Sequence, residues 1–139
     1  MNKILLILTL ALIPIKVNAQ KLITTDEFHW EVRSGVSVVE FWVVWNKSNE
    51  VSFMNELEDC KSYRYTLFRD TEIRNEFKIT AAPTLIVFKD GEEEARFDPN
   101  IMMQLDATKI EVQRAIDKAV NKVRYLKPED LTDYDRMFR

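Results

Sequence analysis

Val36-Ser37-Val38-Val39-Glu40-Phe41-Trp42-Val43-Val44-Trp45, followed at once by Asn46-Lys47-Ser48-Asn49, is the stretch on which the fold turns. Ten residues run almost without interruption through β-branched and aromatic side chains. A strand with one wet face alternates apolar and polar residues, whereas a run like this one reads as a strand buried on both faces. A doubly buried strand needs layers on each side, so helices must flank the sheet that contains it.

Working outward, the flanking segments supply those layers. Lys21-Leu22-Ile23 reads as a short strand. Thr24 with Glu27 gives a capping-box pattern for a helix to about Arg33, with Phe28 and Val32 one turn apart, and Gly35 ends it. After the central strand, Ser48 or Asn49 can cap a second helix to about Glu58 that carries Val51, Met54 and Leu57 on one side. Tyr63 to Phe68 reads as a third strand, and Asp70 or Thr71 caps a short helix bearing Ile73 and Phe77. Pro83 opens a strand through Phe88, Asp90-Gly91 forms a hairpin turn, and Glu93 to Phe97 returns. Thr108 with Glu111 caps a last helix whose stripe of Val112, Ile116, Val120, Val123 and Leu126 stops before Pro128. The order β-α-β-α-β-α-β-β-α predicts an α/β chain with a mixed central sheet.

Composition narrows the chemistry. The chain has 139 residues, enough for one domain, and its 46% apolar content suffices for a core. Two glycines cannot make a dinucleotide fingerprint, and no phosphate-binding Gly-rich loop is present. His29 and Cys60 are the only soft ligands, which excludes zinc-finger and His-cluster metal sites. No cofactor is implied. The formal net charge of −3 is a poor match for nucleic acid or an anionic membrane surface.

The first nineteen residues read as a signal peptide. Lys3 precedes an apolar run from Ile4 to Ile15, and Val17-Asn18-Ala19 offers the small-x-small cleavage pattern. The run is shorter than the roughly 20 residues of a membrane-spanning helix. Cleavage would remove Lys3 and Lys16 and no acid, which leaves a more acidic exported chain, periplasmic or secreted, with no stable membrane span. The domain is expected over residues 20–126, with a charged tail over 127–139. A single cysteine cannot form a disulfide within the chain, so stability must come from the core.

Two segments go beyond pattern. Val39-Glu40-Phe41-Trp42-Val43-Val44-Trp45 resembles the buried strand of thioredoxins, which leads into Cys-Gly-Pro-Cys. Phe77-Lys78-Ile79-Thr80-Ala81-Ala82-Pro83-Thr84-Leu85-Ile86-Val87-Phe88-Lys89-Asp90-Gly91-Glu92 resembles the segment that holds their cis-proline. The resemblance covers about Lys21 to Val123 and implies a thioredoxin-like three-layer α/β/α sandwich. It also implies a groove at Ala82 and Pro83, where an extended peptide or protein segment pairs with the backbone of the residue before the proline.

The family's chemistry does not follow. Trp45 is kept, but Asn46-Lys47-Ser48-Asn49 stands where both redox cysteines would be. Disulfide exchange needs a thiolate to attack and a second thiol to resolve, and a carboxamide is neither. Glu40 falls where thioredoxins hold a buried acid that moves protons for the cysteine. With no cysteine to serve, it is expected as a neutral or hydrogen-bonded core group. The stretch Asp98 to Asp106, with adjacent Met102 and Met103, is longer and more apolar than the family's Gly-containing loop. Its methionines either line the groove as adaptable walls or fold inward with Ile101 and Leu105 to close it. Cys60 reads as a small packed hydrophobe, or as a lone thiol that acts alone or with a partner's thiol. His29 reads as a surface or packing residue. The expected function is an exported, redox-inactive binding or structural module; the alternative is an oxidoreductase working through Cys60.

Overall fold

In the computed structural model, residues 20–68 and 71–122 are described. The expected signal peptide, Asp70, Val123, Leu126 and the tail lie outside the described residues. Five strands and three α-helices follow one another as β1 (Lys21–Leu22), α1 (Thr25–Val32), β2 (Val36–Trp42), β3 (Lys61–Thr66), α2 (Glu72–Glu76), β4 (Thr84–Lys89), β5 (Glu92–Phe97) and α3 (Lys109–Val120). The sheet order is β1-β3-β2-β4-β5. β1 and β2 run parallel to β3, β4 runs antiparallel to β2, and β5 antiparallel to β4. The central strand of the sheet is the one read from the apolar run.

Because side chains alternate across a strand, β2 feeds two cores. Val39 and Phe41 join Phe28, Tyr65, Ile73, Ile86 and Phe88 on one face. Val36 and Val38 join Met54, Leu57, Leu85, Val112 and Ile116 on the other. Phe28 sits at the centre of the first, with the rings of Phe41, Tyr65, Phe77 and Phe88 all within 5.9 Å of its centroid. Helices therefore cover both faces, and the chain is a three-layer α/β/α sandwich.

Turn chemistry holds the ends in place. Glu27 accepts the Thr24 amide at the start of α1, and Thr108 and Glu111 cap α3 reciprocally. Thr71 caps α2 by accepting the Arg74 amide. Asp90 and Gly91 have φ of 50° and 83°, the left-handed pair that a two-residue hairpin turn requires. Asp90 also accepts the Gly35 amide and donates its own amide to the Gly35 carbonyl, which ties the hairpin to the α1–β2 turn.

Two expectations are corrected. β2 stops at Trp42 rather than Trp45. Its pairing with β4 ends at Phe41 opposite Thr84, because Pro83 has no N–H to offer the next rung. The second α-helix does not form. Residues 44–58 hold only short 3-10 turns, a pair over Val44–Asn49 kinked at Asn46 and another at Met54–Glu56, and neither Ser48 nor Asn49 is a cap. The buried residues of this segment, Val51, Met54 and Leu57, recur every third position. The amide of Val51 is also drawn out of any helical ladder: it donates to Glu40 Oε2 at 2.7 Å.

Candidate functional site: an asparagine clasp beside Pro83

The site is built where β2 ends and three loops meet. The first 3-10 turn carries Trp45, Asn46 and Asn49, the segment before β4 carries Ala82 and Pro83, and the β5–α3 loop carries Met102 and Met103. The Ala82–Pro83 peptide bond is cis.

Asn46 joins all three. Its Nδ2 donates to the carbonyl of Ala82 at 3.1 Å and to that of Met103 at 3.0 Å. Its Oδ1 accepts from Asn49 Nδ2 at 2.8 Å. Carbonyl oxygens can only accept, so this arrangement fixes which end of each carboxamide points where. Asn46 itself departs from helical geometry, with φ −109° and ψ 28°. Positions 46 and 49, which in the resembling family hold the two thiols, form a hydrogen-bonded pair that latches the loops together. The Ala82 carbonyl, one of the two backbone groups offered to an extended chain by the resemblance, already has an intramolecular partner.

The β5–α3 loop divides rather than opening or closing as a unit. Asn100 Oδ1 accepts the amides of Met102 and Gln104, and the Asn100 amide donates to the Gln104 carbonyl, which makes a tight turn. Ile101 and Met102 stand at its apex, 100% and 69% exposed. Met103, at φ 56°, is turned back and lines the groove, while Leu105 packs against the α3-side core. Met102 is therefore left exposed at the apex of the turn and does not line the groove with Met103.

The groove is a cleft of about 100 Å³ beside Pro83. Val43, Trp45, Leu67 and Met103 give it apolar walls, Thr80 to Ala82 form its floor, and Arg74 stands at its edge. Trp45 is 72% exposed. Sequence reading missed Val43, Leu67 and Arg74; the only signal for Arg74 was its place on the short helix that leads to the Pro83 segment.

Glu40 is fully buried and is held as a hydrogen-bonded core group. Gln20 Nε2 donates to it at 2.9 Å, the Val51 amide at 2.7 Å, and Arg64 Nε at 3.1 Å. A second Arg64 nitrogen lies 3.0 Å from the same carboxylate, and Arg64 also pairs with Glu50. Every partner is a donor, so both carboxylate oxygens find hydrogen-bond partners within the fold. The register explains the pairing: Glu40 and Arg64 are neighbours in the β2–β3 ladder.

Cys60 sits just before β3, partly buried against the core on the α3 side. Burial pushes its thiol up to about 11, with Asp59 adding to the rise and a hydrogen bond with Ser62 opposing it. A thiol held that high supplies little thiolate at neutral pH. His29 is exposed on the outer side of α1 beside Glu76, with 3.0 Å between Nε2 and the carboxylate. Among the described residues no three His, Cys, Asp or Glu side chains are gathered as a metal ion would need. Nor is any described helix long and apolar enough to cross a membrane.

No family model matches the sequence, and no characterised protein matches it by sequence. Solved structures do match. A thioredoxin of Malassezia sympodialis is 23% identical, covering 73% of this chain and 91% of its own, with a TM-score of 0.55. A cysteine-to-serine mutant of an Entamoeba histolytica thioredoxin is 19% identical over 72% of this chain and 99% of its own, at 0.53. A single-site mutant of a Halobacterium salinarum thioredoxin is 16% identical over 77% and 96%, at 0.59. With a mixed five-stranded sheet between helical layers and these neighbours, the chain has a thioredoxin-like fold, and it carries that fold with a single cysteine.

Proposed function

We propose that this chain is an exported binding module of thioredoxin-like fold that takes an extended segment of a peptide or protein in the groove beside Pro83 and performs no disulfide exchange. The observation that carries the reading is the Asn46 clasp. Two carboxamides occupy the motif positions, hold each other, and fix the loops that wall the groove, so the site keeps a shaped apolar cleft where redox chemistry would be. A rigid cleft binds without first having to order its loops. Pairing of a bound chain with the Ala82 backbone is what the resemblance supplies; the residue is only 3% exposed and Asn46 already takes one lone pair of its carbonyl. Affinity is expected to be micromolar or weaker, about −8 kcal/mol at best. Export rests on the sequence of residues 1–19.

The rival reading, an oxidoreductase acting through Cys60, is disfavoured by the raised, half-buried thiol and by its place against the α3-side core. Two measurements test the proposal. In an insulin-reduction assay the protein should not exceed the background of buffer plus thiol. A partner captured from the exported fraction should shift the amides of Trp45, Ala82 and Met103 together. Turnover that disappears in Cys60→Ser would establish the rival, and a bound partner that leaves those three amides unmoved would place binding on another face.

A further inference from the structure

Among the described residues, one charged side chain lines the groove. Its walls are apolar, its floor is backbone and small side chains, and no described carboxylate lines it, although the chain carries 23 acidic residues against 20 basic ones. Arg74 reaches this edge from α2. Its Nε donates to the Ile79 carbonyl at 3.3 Å, which anchors the guanidinium over the segment that leads to Pro83. Among the described residues no carboxylate pairs with Arg74, and none engages its two terminal nitrogens. Toward the described residues the guanidinium is held by one nitrogen, and its remaining pair forms a planar fork, the geometry that a carboxylate matches with two parallel hydrogen bonds. The apolar surroundings strengthen such a pair by keeping water away from it.

We infer that the segment bound in this groove carries an Asp or Glu side chain beside an apolar residue, the carboxylate meeting Arg74 and the apolar side chain lying between Trp45 and Met103. This inference rests on the groove being the binding site. The preference is local. At a formal net charge of −3 the chain as a whole offers an acidic segment no long-range attraction, so selectivity has to arise from contact with the fork. That distinguishes Arg74 from a merely solvated surface cation, whose substitution would alter affinity for every charged ligand slightly and for none selectively.

Three synthetic peptides test it, each N-acetylated and C-amidated, with a central Leu-Val pair flanked by Glu, by Gln or by Lys. They are titrated into isotope-labelled protein, and binding is read from the amides of Trp45, Ala82 and Met103. The Glu peptide should bind about tenfold more tightly than the Gln peptide, in line with a hydrogen bond to a charged group, and the Lys peptide most weakly. Arg74→Gln should bring the Glu and Gln peptides to within about twofold of each other, whatever it does to the affinity of both. Arg74→Glu should reverse the order of Glu and Lys. Unchanged amides of Phe28 and Ile116 report that each variant is folded. Equal binding of the Glu and Gln peptides to the unaltered protein, with the groove amides moving, would overturn the acidic preference and leave the groove reading intact. If no peptide moves those amides, the groove reading falls and the preference with it. The wild-type comparison decides the matter even if a variant fails to fold.

Discussion

Asn46 donates its side-chain amide to the carbonyl of Ala82 across 3.1 Å, and so joins the end of the central strand to the residue before Pro83. Thirty-six positions separate the two residues in sequence, and the same nitrogen reaches Met103, fifty-seven positions away. The contact converts a loop that could swing freely into a wall of the groove.

Asn46→Ala removes a donor from two carbonyls at once. Ala82 is only 3% exposed, so its oxygen is left with little water to replace the lost partner. The expected cost is about 1–3 kcal/mol, read from the midpoint of urea unfolding at unchanged slope. Asn49→Ala should cost less, about 1 kcal/mol, because it removes one bond between half-buried groups. The double variant should fall short of the sum, since Asn49 acts only through Asn46.

Putting the thiols back should not restore a reductase. The sequence pattern suggested a helix from Ser48 or Asn49 whose positive end would lower the pKa of a cysteine beside it. The structure places 3-10 turns there, with Asn46 outside helical geometry, so that source of activation is missing. Asn46→Cys with Asn49→Cys should therefore stay within a few-fold of background in insulin reduction, and should lose the clasp as well. Rates approaching those of an ordinary thioredoxin would show that the motif alone suffices.

The strand from Val36 was legible because a doubly buried strand leaves an unbroken apolar run, and the caps at Thr24 and Thr108 because they are local. The stretch after Asn49 was misread as α-helix because a three-residue spacing and a four-residue spacing look alike over so few residues. Met102 and Met103 looked interchangeable, and the Asn100 turn that separates them depends on backbone geometry. Asn46, Arg64 and Arg74 acquire their roles from partners brought near by the sheet, which spacing along the chain does not encode. Glu40 stood out as an acid in an apolar run, but its counterion became visible only through the register of β2 with β3.

The β2–β3 register makes Arg64 the cation on which buried Glu40 depends. Arg64→Met would leave the Glu40 carboxylate fully buried with Gln20 and Val51 as its remaining donors, and should cost about 3 kcal/mol, the lower end of the range for breaking a buried pair. Glu40→Gln should cost less. It keeps an acceptor for Val51, and Arg64 retains Glu50 and its place over the Trp42 ring. Replacing both residues by apolar ones of similar volume should be milder than Arg64→Met alone. Urea unfolding of the three variants orders them. A harmless Arg64→Met would mean that the carboxylate carries no charge in the folded chain.

Cys60 offers a test in which the sign is fixed by the direction of its shift. The folded thiol sits at about 11 against an ordinary 9.0, raised chiefly by burial. At pH 8 the thiolate fraction should be about 100-fold below that of an ordinary cysteine, so iodoacetamide should alkylate the native protein correspondingly slowly, and at the ordinary rate in urea. A raised folded-state value also means that the contribution to stability is present in full below about pH 9. It is lost as pH climbs from there toward 11, where the unfolded chain gives up its proton before the folded one does. The side chain is partly open to solvent, so the loss should be small. Comparing unfolding midpoints of the natural chain and Cys60→Ala at pH 8 and pH 10.5 isolates it from the other alkaline titrations, Tyr63 among them. The natural chain should lose more stability over that interval than the variant. Fast alkylation at pH 8, or a difference of the opposite sign, would mean that the thiol is open and ionised, and would return Cys60 to contention as a reactive group.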